Sequence, residues 1–328
     1  MLKYQKAKQK IMEQVHDLRA GQALPPVRTL IKELGYSQIT LKRAFDELEE
    51  EGILKRETGA GIFVAESEKN QRLVGVLLPY LVHKMYSQLL SGIQEVLTEN
   101  NRELLLLPGF TEDYEHLYKS IKDNKLANII VNPSSAELSD IKFINFMQRL
   151  ADEGINILVI DIPVPGLRAD YIGYDNVSAF SKLSKCLIDK GAKNIVVVGR
   201  FDSKVYSSRV KGIREGIDSE GVKIKQIDIS DLPLRSIAKE IAESEIDALI
   251  LCDAGSSIIL AYEMKNILGN EMNKIQIGGI VEQDENLPFE HAVTLEKKNI
   301  LMGRKAAEML LNKQDRLEVE LLSLKMII

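Results

Sequence analysis

Eight short apolar runs recur along this chain at a spacing that suits a layered, parallel architecture. They begin near Leu73 (LVGVLLP), Glu103 (ELLLLP), Ala127 (ANIIVNP) and Ile155 (INILVID), then near Asn194 (NIVVVG), Val222 (VKIKQIDI), Asp247 (DALILCD) and Ile275 (IQIGGIV). Within each group of four the starts lie about 24–30 residues apart, room for one helix per crossover, and parallel neighbours need such crossovers. The runs are continuous rather than alternating in apolarity, which marks strands covered on both faces. A short run at Tyr171-Ile172-Gly173 separates the groups. The expected fold class is therefore α/β, with two doubly wound parallel-sheet lobes at residues 73–328. The first lobe is expected over about 73–163 and 288–314, the second over about 164–287 and 315–328. Ligands of such sheets sit beyond the carboxyl ends of the strands, so informative residues should follow each run.

Nothing before Leu73 follows that pattern. Ile11, Val15 and Leu18 mark one face of a helix that should stop at Arg19-Ala20-Gly21. A second helix is expected from Pro25-Pro26 to Leu34-Gly35, and Ser37 is placed to N-cap a third. In the third, Leu41, Ala44, Phe45 and Leu48 obey the i, i+3, i+4, i+7 rule and must face a core, leaving Gln38, Ile39, Lys42 and Arg43 outside. Its far end, with Glu47, Glu49, Glu50 and Glu51, is too acidic to lie along phosphates, so only the first turn can enter a major groove. Two strands, Ile53 to Arg56 and Ile62 to Ala65, should form a hairpin through Glu57-Thr58-Gly59-Ala60-Gly61. Residues 1–65 thus read as a winged helix-turn-helix, and the wholly polar stretch 66–72 as a linker.

Charge sharpens the division. The 328 residues carry a net −5, which at first argues against a nucleic-acid partner, yet residues 1–65 hold 11 basic and 9 acidic side chains against 32 and 39 in the rest. A basic head on an acidic body is expected when only the head touches a polyanion.

The order Leu24-Pro25, Arg28, Leu30, Leu34-Gly35, Ser37, Thr40, Ala44, Leu48, Gly52, Gly59, Gly61, Phe63-Val64 resembles the GntR-type winged-helix regulators over nearly all of residues 3–65. The resemblance implies phosphate contacts from Arg28 and Thr40, groove contacts from Gln38 and Lys42, and a wing tip at Gly59 or Gly61 beside the minor groove. With Ser37, Ile39 and Arg43 these residues make up the expected DNA-contacting set. Two departures matter: Pro26 stands where a helix-capping Ser is usual, and Val27 where an acidic residue is usual. Gln38 replaces a frequent Arg, and an amide matches adenine N6/N7 better than guanine.

The body resembles the sensors of LacI-type regulators, which share the periplasmic sugar-binding-protein fold. The likeness runs through Leu73 to Pro79, Leu89 to Ile93, Gly154 to Asp161, Tyr171 to Asn176, Leu187 to Gly191 and Arg209 to Gly212. Strand-end position and family pattern together nominate the effector-binding candidates. Asp161 follows a strand and can accept two hydroxyl hydrogen bonds, and Arg209 offers planar donors. Asp253 follows the Asp247 strand, Tyr86 is placed to pack on a sugar face, and Asn132 and Ser134 end the third strand. Where the family often has Gly-Phe-Asp-Asp, this chain reads Gly279-Ile280-Val281-Glu282, so Glu282, Gln283 or Asp284 could substitute as acceptor from a shifted loop, Glu282 being the candidate carried forward. Other readings stay open: a loop Asp is commonly a cap, Arg209 could pair with Asp161, and Asp175-Asn176 could either touch ligand or fix the inter-lobe turn. With Val281 in place of Asp and no Trp in the chain, the cleft suits a smaller, acidic or unusual ligand.

No G-x-G-x-x-G after a strand, P-loop, H-E-x-x-H or G-x-S-x-G occurs, and His16, His83, His116 and His291 are scattered, so no catalytic residue, metal or cofactor is expected. Cys186 and Cys252 fit ordinary buried thiols. The N-terminus lacks a secretory apolar stretch and no run approaches membrane-span length, so a cytoplasmic protein with no membrane partner is expected. What the resemblances imply is a ligand-responsive regulator. It would bind a near-palindromic double-stranded DNA operator as a homodimer, through helix 85–99 and the helix after Ala136. A small-molecule effector, carbohydrate by the family's habit, would release it. Alternatives are an activator or co-repressor answering a non-carbohydrate metabolite, and, more remotely, an enzyme-fused regulator.

Overall fold

The computed structural model describes residues 3–16, 18, 21–50, 52–57, 59–65, 72–79, 83–109, 113–217, 221–230, 233–289, 291–312 and 317–328. Linker residues 66–71, Arg19 and Ala20 of the expected first-helix stop, Glu51 and Thr58 lie outside these.

The head holds three helices, α1 (Lys3–His16), α2 (Val27–Leu34) and α3 (Gln38–Glu50), and a hairpin of β1 (Leu54–Glu57) and β2 (Gly61–Val64). Helix α1 is described as far as His16, and most of its expected stop lies outside the described residues. The Leu18 N–H donates to the Val15 carbonyl at 3.1 Å. Gly35, at φ 72°, closes α2 with its N–H on the Ile31 carbonyl, a left-handed geometry that glycine adopts without strain. Ser37 Oγ accepts the Thr40 N–H at 3.3 Å, as an N-cap of α3 should. Leu41, Ala44, Phe45 and Leu48 are all buried, packed with Ala7, Ile11, Leu24, Leu30 and Leu54. The hairpin is shifted one residue C-terminally at its first strand and N-terminally at its second relative to expectation, with Leu54 opposite Val64 and Glu57 opposite Gly61. Segment 21–24 pairs along β2, with the Leu24 N–H on the Ile62 carbonyl at 2.7 Å, and fixes the wing to the helices.

The body contains β3 (Leu73–Leu78), α4 (Lys84–Glu99), β4 (Glu103–Pro108), α5 (Tyr114–Asp123), β5 (Asn128–Val131), α6 (Ile141–Asp152), β6 (Asn156–Ile160) and β7 (Asp170–Tyr174). It continues with α7 (Asn176–Asp189), β8 (Asn194–Gly199), α8 (Lys204–Glu215), β9 (Lys223–Asp228), α9 (Leu234–Ala242), β10 (Ala248–Leu251), α10 (Ala254–Leu268) and β11 (Gln276–Val281). It ends with β12 (Val293–Glu296), α11 (Asn299–Leu311), β13 (Val319–Leu322) and β14 (Lys325–Ile327). The sheet of the first lobe runs β4-β3-β5-β6-β7-β13, all parallel, and that of the second β9-β8-β10-β11-β12-β14, parallel except for β14. The eight apolar runs are β3, β4, β5, β6, β8, β9, β10 and β11.

The division between lobes differs from the expected one. Strand β7, expected as part of the second lobe, pairs with β6 in the first; β12 pairs with β11 in the second; β13 pairs with β7 in the first. The chain therefore crosses between lobes three times, at 174–176, 296–299 and 322–325. These strands have five residues or fewer and sit towards a sheet edge, so their sequences lack the doubly covered apolar runs that identify central strands.

Helices α4 and α11 lie backbone to backbone: a Cβ on Gly92 would collide with the Ile300 carbonyl, and one on Gly303 with that of Leu89. That contact ties α11, which follows a second-lobe strand, into the first lobe. One continuous core, from Val74 and Leu89 through Tyr174 and Phe180 to Ile250 and Leu295, spans both lobes.

Candidate functional site

The first candidate surface is the start of α3. Gln38, Ile39 and Lys42 are exposed there, Ile39 at 83%. Thr40 is half-buried, its hydroxyl 2.8 Å from that of Ser37. Arg28 stands exposed in the first turn of α2. Arg43 points back towards α1, its guanidinium 3.9 Å from the centre of the Tyr4 ring and 3.9 Å from Glu47. On β1, Arg56 binds Asp46 at 2.6 Å and Glu49 at 3.5 Å, so the acidic end of α3 is partly neutralised within the head. Gly59 and Gly61, at φ 81° and 128°, shape the wing tip.

In the body, the sheet orders place a switch point between β3 and β5 in the first lobe and between β8 and β10 in the second. Asn132, just after β5, is buried, and its Nδ2 has no hydrogen-bond partner. On the neighbouring strand, Asp161 follows β6 in the left-handed region at φ 67°, and its Oδ1 is buried and unpartnered. Its backbone carbonyl accepts from the Tyr171 hydroxyl at 2.9 Å, and burial, then the Asp161 charge, pushes the Tyr171 phenol above its ordinary range. Buried polar groups ordinarily find partners, so a donor and an acceptor left over on adjoining strand ends stand out.

Asp161 also lines a cavity of about 510 Å³ with walls from both lobes. Ile162, Pro163, Val164, Tyr171 and Tyr174 come from the first lobe, and Asn176, Val177, Lys204, Val205 and Ser208 from the second. Arg209, on α8 next to Ser208, is 6% exposed. Its Nε donates to Asn176 Oδ1 at 2.9 Å and its Nη1 to the Cys252 carbonyl at 2.5 Å. Among the described residues it forms no ion pair with Asp161 or any other carboxylate within 4.0 Å.

The remaining candidates are engaged elsewhere. Ser134 donates its N–H and hydroxyl to Glu137, at 2.7 and 2.8 Å, and closes a turn. Asp253 caps α10 through the Ser256 N–H at 2.8 Å, and Asp175 caps α7 through that of Ser178 at 3.0 Å. Tyr86, half-buried on α4, meets His83 edge-on at 5.9 Å. Glu282 is 3% exposed and accepts from Lys297 Nζ at 3.1 Å and Asn299 Nδ2 at 2.6 Å. Burial pushes its carboxyl up, but Lys297 and Asn299 together hold it below the usual carboxylate range. Asn299 also donates to Gln88 at 2.9 Å and accepts from the Tyr174 hydroxyl at 3.0 Å, so this network joins the β12–α11 crossover to both lobes.

Sequence reasoning missed His83, Lys204, Lys297 and Asn299. His83 caps α4 with Nδ1, accepting the Met85 N–H at 3.3 Å, while its Nε2 lies 3.4 Å from where a Gly255 Cβ would stand at the start of α10. It is thus a first-lobe side chain touching the second lobe. Only its place just after the first strand could have signalled it. Lys297, in Glu296-Lys297-Lys298, has the sequence character of a solvated charge run, and nothing local distinguishes it.

Residues 3–64 match the bacterial regulatory proteins of the gntR family, and residues 71–322 match the periplasmic binding proteins and sugar binding domain of the LacI family. An arabinose metabolism transcriptional repressor of Halalkalibacterium halodurans is 24% identical over 205 residues, 60% of this chain and 54% of that protein. A histidine utilization repressor of Klebsiella aerogenes is 39% identical over 75 residues, 22% of this chain and 31% of that protein. The chain thus spans about half or less of the length of these curated relatives. Among solved structures, a LacI family transcriptional regulator from Enterococcus faecium with bound ribose superposes with a TM-score of 0.63 at 17% identity, covering 78% of this chain and 97% of that one. The chain belongs to the family of periplasmic binding proteins and LacI-family sugar-binding domains, and carries a gntR-family winged-helix head.

Proposed function

We propose that this chain is a transcriptional repressor that binds a near-palindromic operator as a dimer and leaves it when a sugar-like effector fills the cleft between the sensor lobes. The observation that carries this reading is the unpartnered pair, Asn132 Nδ2 and Asp161 Oδ1, on neighbouring strand ends, with Asp161 lining an inter-lobe cavity. A donor and an acceptor without partners, buried at a switch point, are what a polyhydroxylated ligand would satisfy. The likeness to an arabinose metabolism repressor supports both repression and a sugar-like signal. The head supplies the DNA contacts: Arg28 and Thr40 to phosphates, Gln38, Ile39 and Lys42 to base edges, Ser37 and Arg43 steadying the helix, and Gly59 and Gly61 bringing the wing close. A single head of this size reads few base pairs, so two are needed for useful specificity.

The exposed apolar side chains of α10, Ile259, Tyr262 and Ile267, favour this helix beside α4 and α6 as the two-fold contact. No helix among the described residues is long and apolar enough to cross a membrane. Regulation requires that the effector bind the DNA-competent and DNA-free states with different affinity.

The test is operator binding as a function of salt. Lys42→Ala and Arg28→Ala should each weaken binding, with Arg28→Ala lowering the salt slope by about 1. An unchanged affinity and slope in both variants would remove the DNA assignment.

A further inference from the structure

What the first turn of α3 can offer a base edge is limited by what its neighbours have already taken. The Ser37 and Thr40 hydroxyls lie 2.8 Å apart and bond each other, and Ser37 Oγ also accepts the Thr40 N–H. Arg43, one turn beyond Ile39 on the same face, leans back over the Tyr4 ring of α1 at 3.9 Å. Arg56 of β1 holds Asp46 at 2.6 Å and Glu49 at 3.5 Å. A guanidinium fork on guanine O6 and N7 is the commonest specific base contact, yet Arg43 and Arg56 both face protein partners. Gln38 and Ile39 are left projecting from the helix start, Ile39 at 83% exposure.

The side chain of Ile39 has no donor or acceptor, so hydrogen bonding cannot let it tell one base from another. The major-groove edges of the base pairs carry a single apolar group, the C5 methyl of thymine. Branching at Cβ holds isoleucine to one strongly preferred rotamer in a helix, so little freedom is lost on contact. Resting on the reading that this turn enters a major groove, we infer that Ile39 is a specificity-determining residue. It selects thymine by its methyl group, beside an adenine that the Gln38 amide reads through N6 and N7. Adjacent side chains of one turn then read adjoining A·T pairs, and each half-site carries an A·T step where a head with a free arginine would take guanine.

Uracil in place of thymine removes that methyl and nothing else, which makes it the probe. The full chain first selects its preferred duplex from a randomised pool. Each thymine of a selected half-site is then replaced in turn, with affinity read by fluorescence anisotropy at fixed salt. Replacement of the contacted thymine should weaken binding about fourfold, the worth of one buried methyl-sized group. Ile39→Ala should bind the thymine and uracil duplexes alike at that position, and because the side chain is exposed the fold does not depend on it. Arg28→Ala, at a phosphate contact, should weaken both duplexes by the same factor and keep the ratio between them. A selected duplex whose affinity survives every uracil replacement, or a ratio unchanged in Ile39→Ala, would overturn the methyl contact and leave the DNA-binding head standing. Selection of no duplex at all would overturn both.

Discussion

Two buried polar clusters lie near the points where the chain passes between lobes, and they are built to opposite rules. Around Glu282 both carboxylate oxygens are taken, by Lys297 at 3.1 Å and Asn299 at 2.6 Å, and Asn299 is itself held by Gln88 and Tyr174. Around Asp161 the hydrogen bonds stop short: Oδ1 has none, Asn132 Nδ2 has none, and Arg209 lacks a counter-ion among the described residues. Glu282 was expected to bind effector, and within the fold its carboxylate is already fully partnered. A closed network fixes the relation of the lobes, whereas an open one keeps its bonding capacity for a ligand. The difference teaches that polarity and burial alone do not mark a binding residue, and that leftover hydrogen-bonding capacity at a cleft is what to test.

Breaking the closed network should have the largest effect. Lys297→Met leaves Glu282 buried without its cation and should lower stability by about 3–5 kcal/mol in chemical denaturation. Combining it with Glu282→Gln removes both charges and should recover much of that loss. A loss below about 1 kcal/mol from the single variant would mean that the pair is not holding the hinge.

Acid should undo part of the same network. The Glu282 carboxyl lies below its ordinary range in the folded chain, because Lys297 and Asn299 outweigh the opposing effect of burial. Its contribution is therefore complete above the ordinary glutamate value of about 4.3 and is lost as pH falls through that value towards the lowered one. Denaturant midpoints measured from about pH 6 down to pH 3 should fall more steeply for the natural chain than for the Lys297→Met, Glu282→Gln double variant. Parallel curves would show that Glu282 protonation is not coupled to folding.

Much of this architecture was legible because central parallel strands announce themselves. Val74 to Leu78 and Ile195 to Val198 are apolar on both faces, and the helix spacing between such runs admits few topologies. Leu41, Ala44, Phe45 and Leu48 likewise revealed the buried side of α3 by period alone. The crossovers were not legible: β7, β12 and β13 are short, and which sheet takes them is decided by pairing with strands far away in sequence. The site divided in the same way. Asp161 and Arg209 could be named from strand ends and family pattern, but whether each polar candidate would be spent depended on its partners in the fold. Ser134 was spent on Glu137, three residues away, Asp253 on capping α10, and Glu282 on a lysine that resembles a surface residue in sequence.

The open cluster should be the cheaper to break, and that is the sharper half of the comparison. Asp161→Asn keeps the shape of the side chain, and Asn tolerates the left-handed backbone at φ 67° about as well as Asp does. Because Oδ1 has no partner to lose, the substitution should change the stability of the ligand-free chain by less than about 1 kcal/mol, with a gain as acceptable as a loss. Ligand response should behave in the opposite way. The variant should lose most of the midpoint rise that saturating effector gives the natural chain, since the carboxylate accepts hydroxyl bonds that a neutral amide accepts more weakly. Thermal shift with and without ligand reads both quantities in one experiment. A large loss of ligand-free stability would show that Asp161 is as fully employed in the fold as Glu282, and the contrast between the two clusters would disappear.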